Sequence, residues 1–187
     1  MTTSTDPERT RNGVTQEPGW LVPAAAIAGV AGIGMAIYQV ATPGPPGSDF
    51  DSCDDFVLRD GLFLVYLLAS IAAVTGAWRA GLATRVSARL VAVGYGLISV
   101  GVVASIALRE DPDWFFALGG PGILLSAAGF VILAVSGVRR SRLPVWAALL
   151  AGVGGLVAIV MAELGTTVLV ASFWLYVASL VHRAHVR

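Results

Sequence analysis

The chain contains no lysine. Twelve arginines carry all of its fixed positive charge, balanced by twelve acids, and charged residues make up only 13% of the 187 residues. A P-loop is excluded, because Gly119-Gly120-Pro121-Gly122 lacks the Lys-Ser/Thr that would hold a phosphate; a Pro-Gly helix entry accounts for it. Cysteine is almost absent too. Cys53 stands alone, so neither an intramolecular disulfide nor a cysteine-based zinc site can form, and its acidic neighbours disfavour the thiolate. The two histidines, His182 and His185, sit far from most acids, which excludes a Ser-His-Asp triad, and there is no His-Glu-x-x-His motif. Lysine-free basicity with abundant Ala, Val and Gly suggests a GC-rich bacterial genome.

What is present is hydrocarbon. Apolar residues form 56% of the chain and mean hydropathy is +0.78, beyond what a soluble domain reaches. A bilayer-spanning helix needs about 20 mostly apolar residues. Six windows free of Arg, Asp and Glu approach or meet that length: 20–40, 61–78, 90–108, 116–138, 143–162 and 166–181. Continuous rather than alternating hydrophobicity argues for helices over a barrel, since backbone groups in lipid must be satisfied within their own segment. The expected fold is therefore all-α, a polytopic bundle of six transmembrane helices over residues 20–182. A polar tail, 1–19, precedes it and a basic tail, 183–187, follows. The first apolar run exceeds a signal-peptide core and is followed by Pro43, so it reads as a retained span.

The arginines decide orientation. Ten of them (Arg9, Arg11, Arg79, Arg85, Arg89, Arg139, Arg140, Arg142, Arg183 and Arg187) fall on one side of the expected membrane. The opposite loops hold only Arg59 and Arg109, against nine acids. Short arginine-rich loops stay cytoplasmic, so both termini are expected inside, in the cytoplasmic membrane. Nothing in this distribution points to nucleic acid.

The six spans contain no ionisable side chain, the usual mark of ion paths and proton relays. Their polar groups, among them Gln39, Tyr66, Ser70, Tyr95, Ser99, Ser105 and Ser126, can bond to backbone carbonyls or to neighbouring helices. Small residues recur four apart in Ala28-Gly32-Ala36, Gly101-Ser105, Gly122-Ser126, Ala148-Gly152 and Ala151-Gly155, which suits close packing within the bundle. Trp20, Trp78, Trp114, Trp146, Tyr38 and Phe115 lie near span ends, where rings settle at headgroups. Gly61–Arg79 and Gly122–Arg140 share glycines fifteen apart and a basic exit, a similarity that Gly- and Ala-rich spans also show by composition alone.

Site candidates are few. Asp51, Asp54 and Asp55 lie in an acidic connection, 43–60, that opens with Pro-Gly-Pro-Pro-Gly and is expected to be turn-rich. They offer oxygen ligands to a hard cation, without EF-hand spacing. Glu163, between the last two spans, is the candidate functional acid. His182 and His185 share a helix face, for which a basic cap at the headgroups is sufficient reason. No cofactor is implied. The expected role is a non-enzymatic bundle acting through lipid, a membrane-protein partner or a second copy of itself. The alternatives are a small permease or channel component lined by Tyr66, Ser70, Tyr95 and Ser99, and an outer-face sensor using the Asp-rich loop.

Overall fold

The computed structural model describes residues 18–41, 53–110, 112–160 and 167–186, apart from the side chains of 53–56, 158–160 and 185–186. The described residues form six helices: α1 (Leu21–Ala41), α2 (Cys53–Arg79), α3 (Arg85–Leu108), α4 (Phe115–Arg139), α5 (Val145–Val160) and α6 (Thr167–Val186). Five are long and apolar enough to cross a membrane. The exception is α5, whose 16 residues rise about 24 Å against roughly 30 Å of hydrocarbon.

Each helix packs antiparallel on its neighbours in sequence, and α6 packs back on α1, closing a ring. The packing inverts the usual globular pattern. Surfaces facing out are branched and greasy, with Val86, Val93, Val100 and Val103 on α3 and Leu149, Val153 and Leu156 on α5 all exposed. Surfaces facing in are rich in Ala, Gly and Ser. Hydrocarbon solvates Val and Leu as well as a protein core does, so helices gain by contact only where small residues let backbones approach. At the α3–α4 seam a Cβ on Gly94 would lie 2.5 Å from the Gly122 carbonyl oxygen and 2.6 Å from the Ser126 nitrogen. One Cβ on Gly129 would lie 2.8 Å from the Val91 nitrogen. The small-residue rows at Ala28, Gly32 and Ala36, at Gly101 and Ser105, and at Gly122 and Ser126 are all buried within the single chain.

Two connections share one design. After α2, the Ala80 N–H donates to Gly76 O, Gly81 to Trp78 O, and Leu82 and Ala83 both to Ala77 O. After α4, Arg140 donates to Ser136 O, Ser141 to Val138 O, and Arg142 and Leu143 both to Gly137 O. Every bond of the second set lies sixty residues after its counterpart. Burial follows the same register: Ala73 and Leu133, Val74 and Ala134, Ala83 and Leu143, and Val91 and Ala151 are buried pairwise. The hairpins α2–α3 and α4–α5 are thus structural repeats, one residue out of step with the glycine match visible in the sequence. The third residue of the turn takes a positive φ in both, Gly81 at 77° and Ser141 at 52°. Thr84 then caps α3: its Oγ1 accepts from Ser87 N at 3.1 Å while Ser87 Oγ accepts from Thr84 N at 3.1 Å.

The connection expected over 43–60 is shorter than the sequence suggests. Helix α2 starts at Cys53, so Asp54, Asp55, Arg59 and Asp60 belong to a helix rather than to a loop. Acids in a first turn are favoured by the partial positive charge of the helix N-terminus. A search for uncharged windows necessarily stops short of such a start. Likewise α6 runs on through His182 and Arg183, both exposed.

Candidate functional site

A ring of six helices cannot fill its own centre with backbone, because axes about 8–10 Å apart leave a shaft in the middle that only side chains can occupy. Here an aromatic layer crosses it. Phe63 and Tyr66 of α2, Tyr95 of α3, Phe130 of α4, and Trp174 and Phe173 of α6 form a continuous chain of ring contacts with centroids 5.0–6.3 Å apart, the spacing that tilted and stacked pairs favour. Toward the arginine-rich end, Ala73, Val74, Val91, Leu133, Ala147 and Val177 close the interior. Toward the acidic end the interior is open, and a cavity of about 350 Å³ remains.

The repeated hairpins fill the interior differently. At matching positions of the two hairpins, Tyr66 stands against Ser126, Ser70 against Phe130, and Tyr95 against Gly155. Bulk in one repeat meets a small residue in the other. Tyr66, Tyr95, Ser126, Phe130 and Gly155 all line the cavity. Its walls are Met35, Phe63, Leu67, Ile98, Val102 and Ile123. At the rim sit Gln39, Arg59, Asp60, Phe115 and Phe116. Six residues separate Asp60 from Tyr66 along α2, so rim and floor lie roughly 9 Å apart.

Polar groups appear at both levels. At the floor the Tyr66 and Tyr95 hydroxyls hydrogen-bond each other at 3.1 Å, with Ser70 fully buried one turn further along α2. At the rim Arg59 Nε donates to Asp60 Oδ1 at 2.9 Å. Asp60 is only 6% exposed, so its charge is held out of water and the adjacent guanidinium offsets that cost. The buried Gln39 Oε1 and Ser70 Oγ make no hydrogen bond. Other interior hydroxyls turn back on their own helices, Ser99 to Tyr95 O at 2.7 Å, Ser105 to Gly101 O at 3.1 Å and Ser126 to Ile123 O at 2.9 Å. Thr167 instead ties α6 to α1 through Gly32 O at 3.2 Å.

Of the residues the sequence proposes for a solute path, Tyr66 and Tyr95 face the cavity, whereas Ser70 and Ser99 are packed away from it. Asp51 and Glu163 lie outside the described residues, as do the side chains of Asp54, Asp55, Cys53 and His185. Sequence reading placed Asp60 in a loop and passed over Phe130 and Trp174. Two signals were available. Asp60, Phe63, Leu67, Ser70, Val74 and Ala77 repeat at helical spacing, which marks one buried stripe beginning with the acid. Trp174 is the tryptophan that sits in mid-span, away from the exposed belt of Trp20, Trp78, Trp114 and Trp146.

The fold and its greasy exterior define a multi-pass, all-helical membrane protein. The chain matches no protein-family model, and comparison with curated proteins and with solved structures finds no match either.

Proposed function

We propose that this protein is a non-enzymatic, six-span component of the bacterial cytoplasmic membrane, with both termini cytoplasmic, that holds a small lipophilic molecule in its central cavity. The observation that carries this reading is a half-open, apolar interior space with polar atoms at its rim and floor that the protein leaves incompletely hydrogen-bonded, at Gln39 and in the Tyr66–Tyr95 pair. Buried polar atoms are normally paired, and those that face a cavity are the natural contacts of a ligand. Orientation rests on the arginines of the α2–α3 and α4–α5 connections, which the positive-inside rule assigns to the cytoplasm. The cavity then opens toward the outer face.

A permease is the second reading, favoured by the cavity itself. Against it stands the packed half of the bundle beyond the aromatic layer, which would have to part for a solute to cross.

Photolabelling tests the binding reading. A membrane-soluble diazirine such as adamantyl diazirine, activated in vesicles holding the full chain, is expected to modify Met35, Phe63, Ile98 or Ile123. Label confined to outward positions such as Val93, Val100 and Leu149 would remove the reading.

A further inference from the structure

Resting on that reading of the cavity as a ligand site, we propose that the molecule it takes is a planar, uncharged carbonyl compound of the quinone class, bound with one carbonyl oxygen toward the Tyr66–Tyr95 pair.

Three observations converge. First, the floor has a surplus of donors. Two phenolic O–H groups share one hydrogen bond, which leaves one phenolic hydrogen over. A bonded pair of hydroxyls carries one hydrogen beyond the one that it shares. A ligand carbonyl supplies that acceptor, whereas a hydrocarbon tail leaves the hydrogen stranded.

Second, the lining is aromatic: Phe63, Tyr66, Tyr95 and Phe130 all border the cavity as one continuous row of rings, neighbouring centroids 5.8–6.3 Å apart. Electron-rich phenol and phenyl faces pair well with the electron-poor ring of a dione. Third, the charges within the site cancel. Arg59 and Asp60 are bonded to each other at the rim, and the lining residues below them carry no charge. An ionised ligand head drawn to the floor would lose its hydration without a counter-ion. A fatty carboxylate is therefore disfavoured, and a neutral carbonyl is not.

The probes are menadione and its carbonyl-free isostere 2-methylnaphthalene, each competing with the diazirine for the cavity in vesicles holding the full chain. Menadione is expected to protect the cavity from label at a lower concentration than 2-methylnaphthalene. In the Tyr66→Phe/Tyr95→Phe variant, the half-protecting concentration of menadione should rise about five- to tenfold, the loss of one hydrogen bond. That of 2-methylnaphthalene should stay within about twofold. If the double variant does not purify as a single species, the ratio of the two probes' half-protecting concentrations on the unaltered chain carries the test by itself.

Equal protection by the two probes, or equal loss of both in the variant, would overturn the carbonyl assignment while leaving a ligand site. So would a cavity that is labelled but protected by neither probe. A cavity that takes no label sinks both this inference and the reading beneath it.

Discussion

Single residues carry the packing through what they lack. Gly94 and Gly96 lie two apart on α3, yet only Gly94 meets the α4 backbone; around Gly96 there is nothing within 4 Å. Gly94→Ala should therefore destabilise the bundle by about 2 kcal/mol, the scale of overpacking against atoms that cannot move aside. Gly96→Ala should leave it unchanged or raise it by up to about 1 kcal/mol through helix propensity. Thermal unfolding in detergent separates the two, and equal effects would show that the seam is not set by backbone approach. The Tyr66–Tyr95 bond is a smaller quantity. A double-mutant cycle with Tyr66→Phe and Tyr95→Phe should return a coupling near 0.6 kcal/mol, the average for such bonds in a membrane protein.

At the scale of elements, the repeated turn gives an internal control. The same position is Gly81 in one hairpin and Ser141 in the other, both at positive φ. A left-handed residue other than glycine costs about 1–2 kcal/mol. Ser141→Gly should raise the melting temperature and Gly81→Ala lower it, and a matching sign for both would refute the equivalence of the turns. This repeat was only half legible in the sequence. The glycines at 61, 76, 122 and 137 suggest an offset of 61 residues, but the backbone repeats at 60, because turn geometry depends on carbonyl positions and not on which residue happens to be glycine. Helix starts were misread for a related reason. Asp54 and Asp55 look like loop residues to hydropathy, whereas the electrostatics of a helix N-terminus favours acids there.

For the whole molecule, an exterior of exposed Val, Leu and Ile around a small-residue interior requires lipid, so alkaline carbonate should leave the chain in the membrane pellet. Release into the supernatant would contradict the fold. The six-span arrangement proposed above requires α5 to cross despite its length. A reporter fused after Arg187 and one inserted between Arg140 and Leu143 should then be cytoplasmic together, with a reporter at Asp113 on the opposite side. Opposite locations for the first two would mean that α5 and α6 do not cross as a pair.

Hydropathy, a property of composition along a line, was enough to read an all-helical membrane protein, the approximate bounds of five helices able to span and the close-packing role of its small residues. It was enough because the bilayer imposes a fixed length and a fixed penalty on charge. The cavity was not readable in this way. It exists because helices far apart in sequence close into a ring, and because Tyr66 and Tyr95 meet across it while Phe130 packs against Gly155. Volume missing at one position becomes a site only when the packed neighbours are known, and that is a property of tertiary structure.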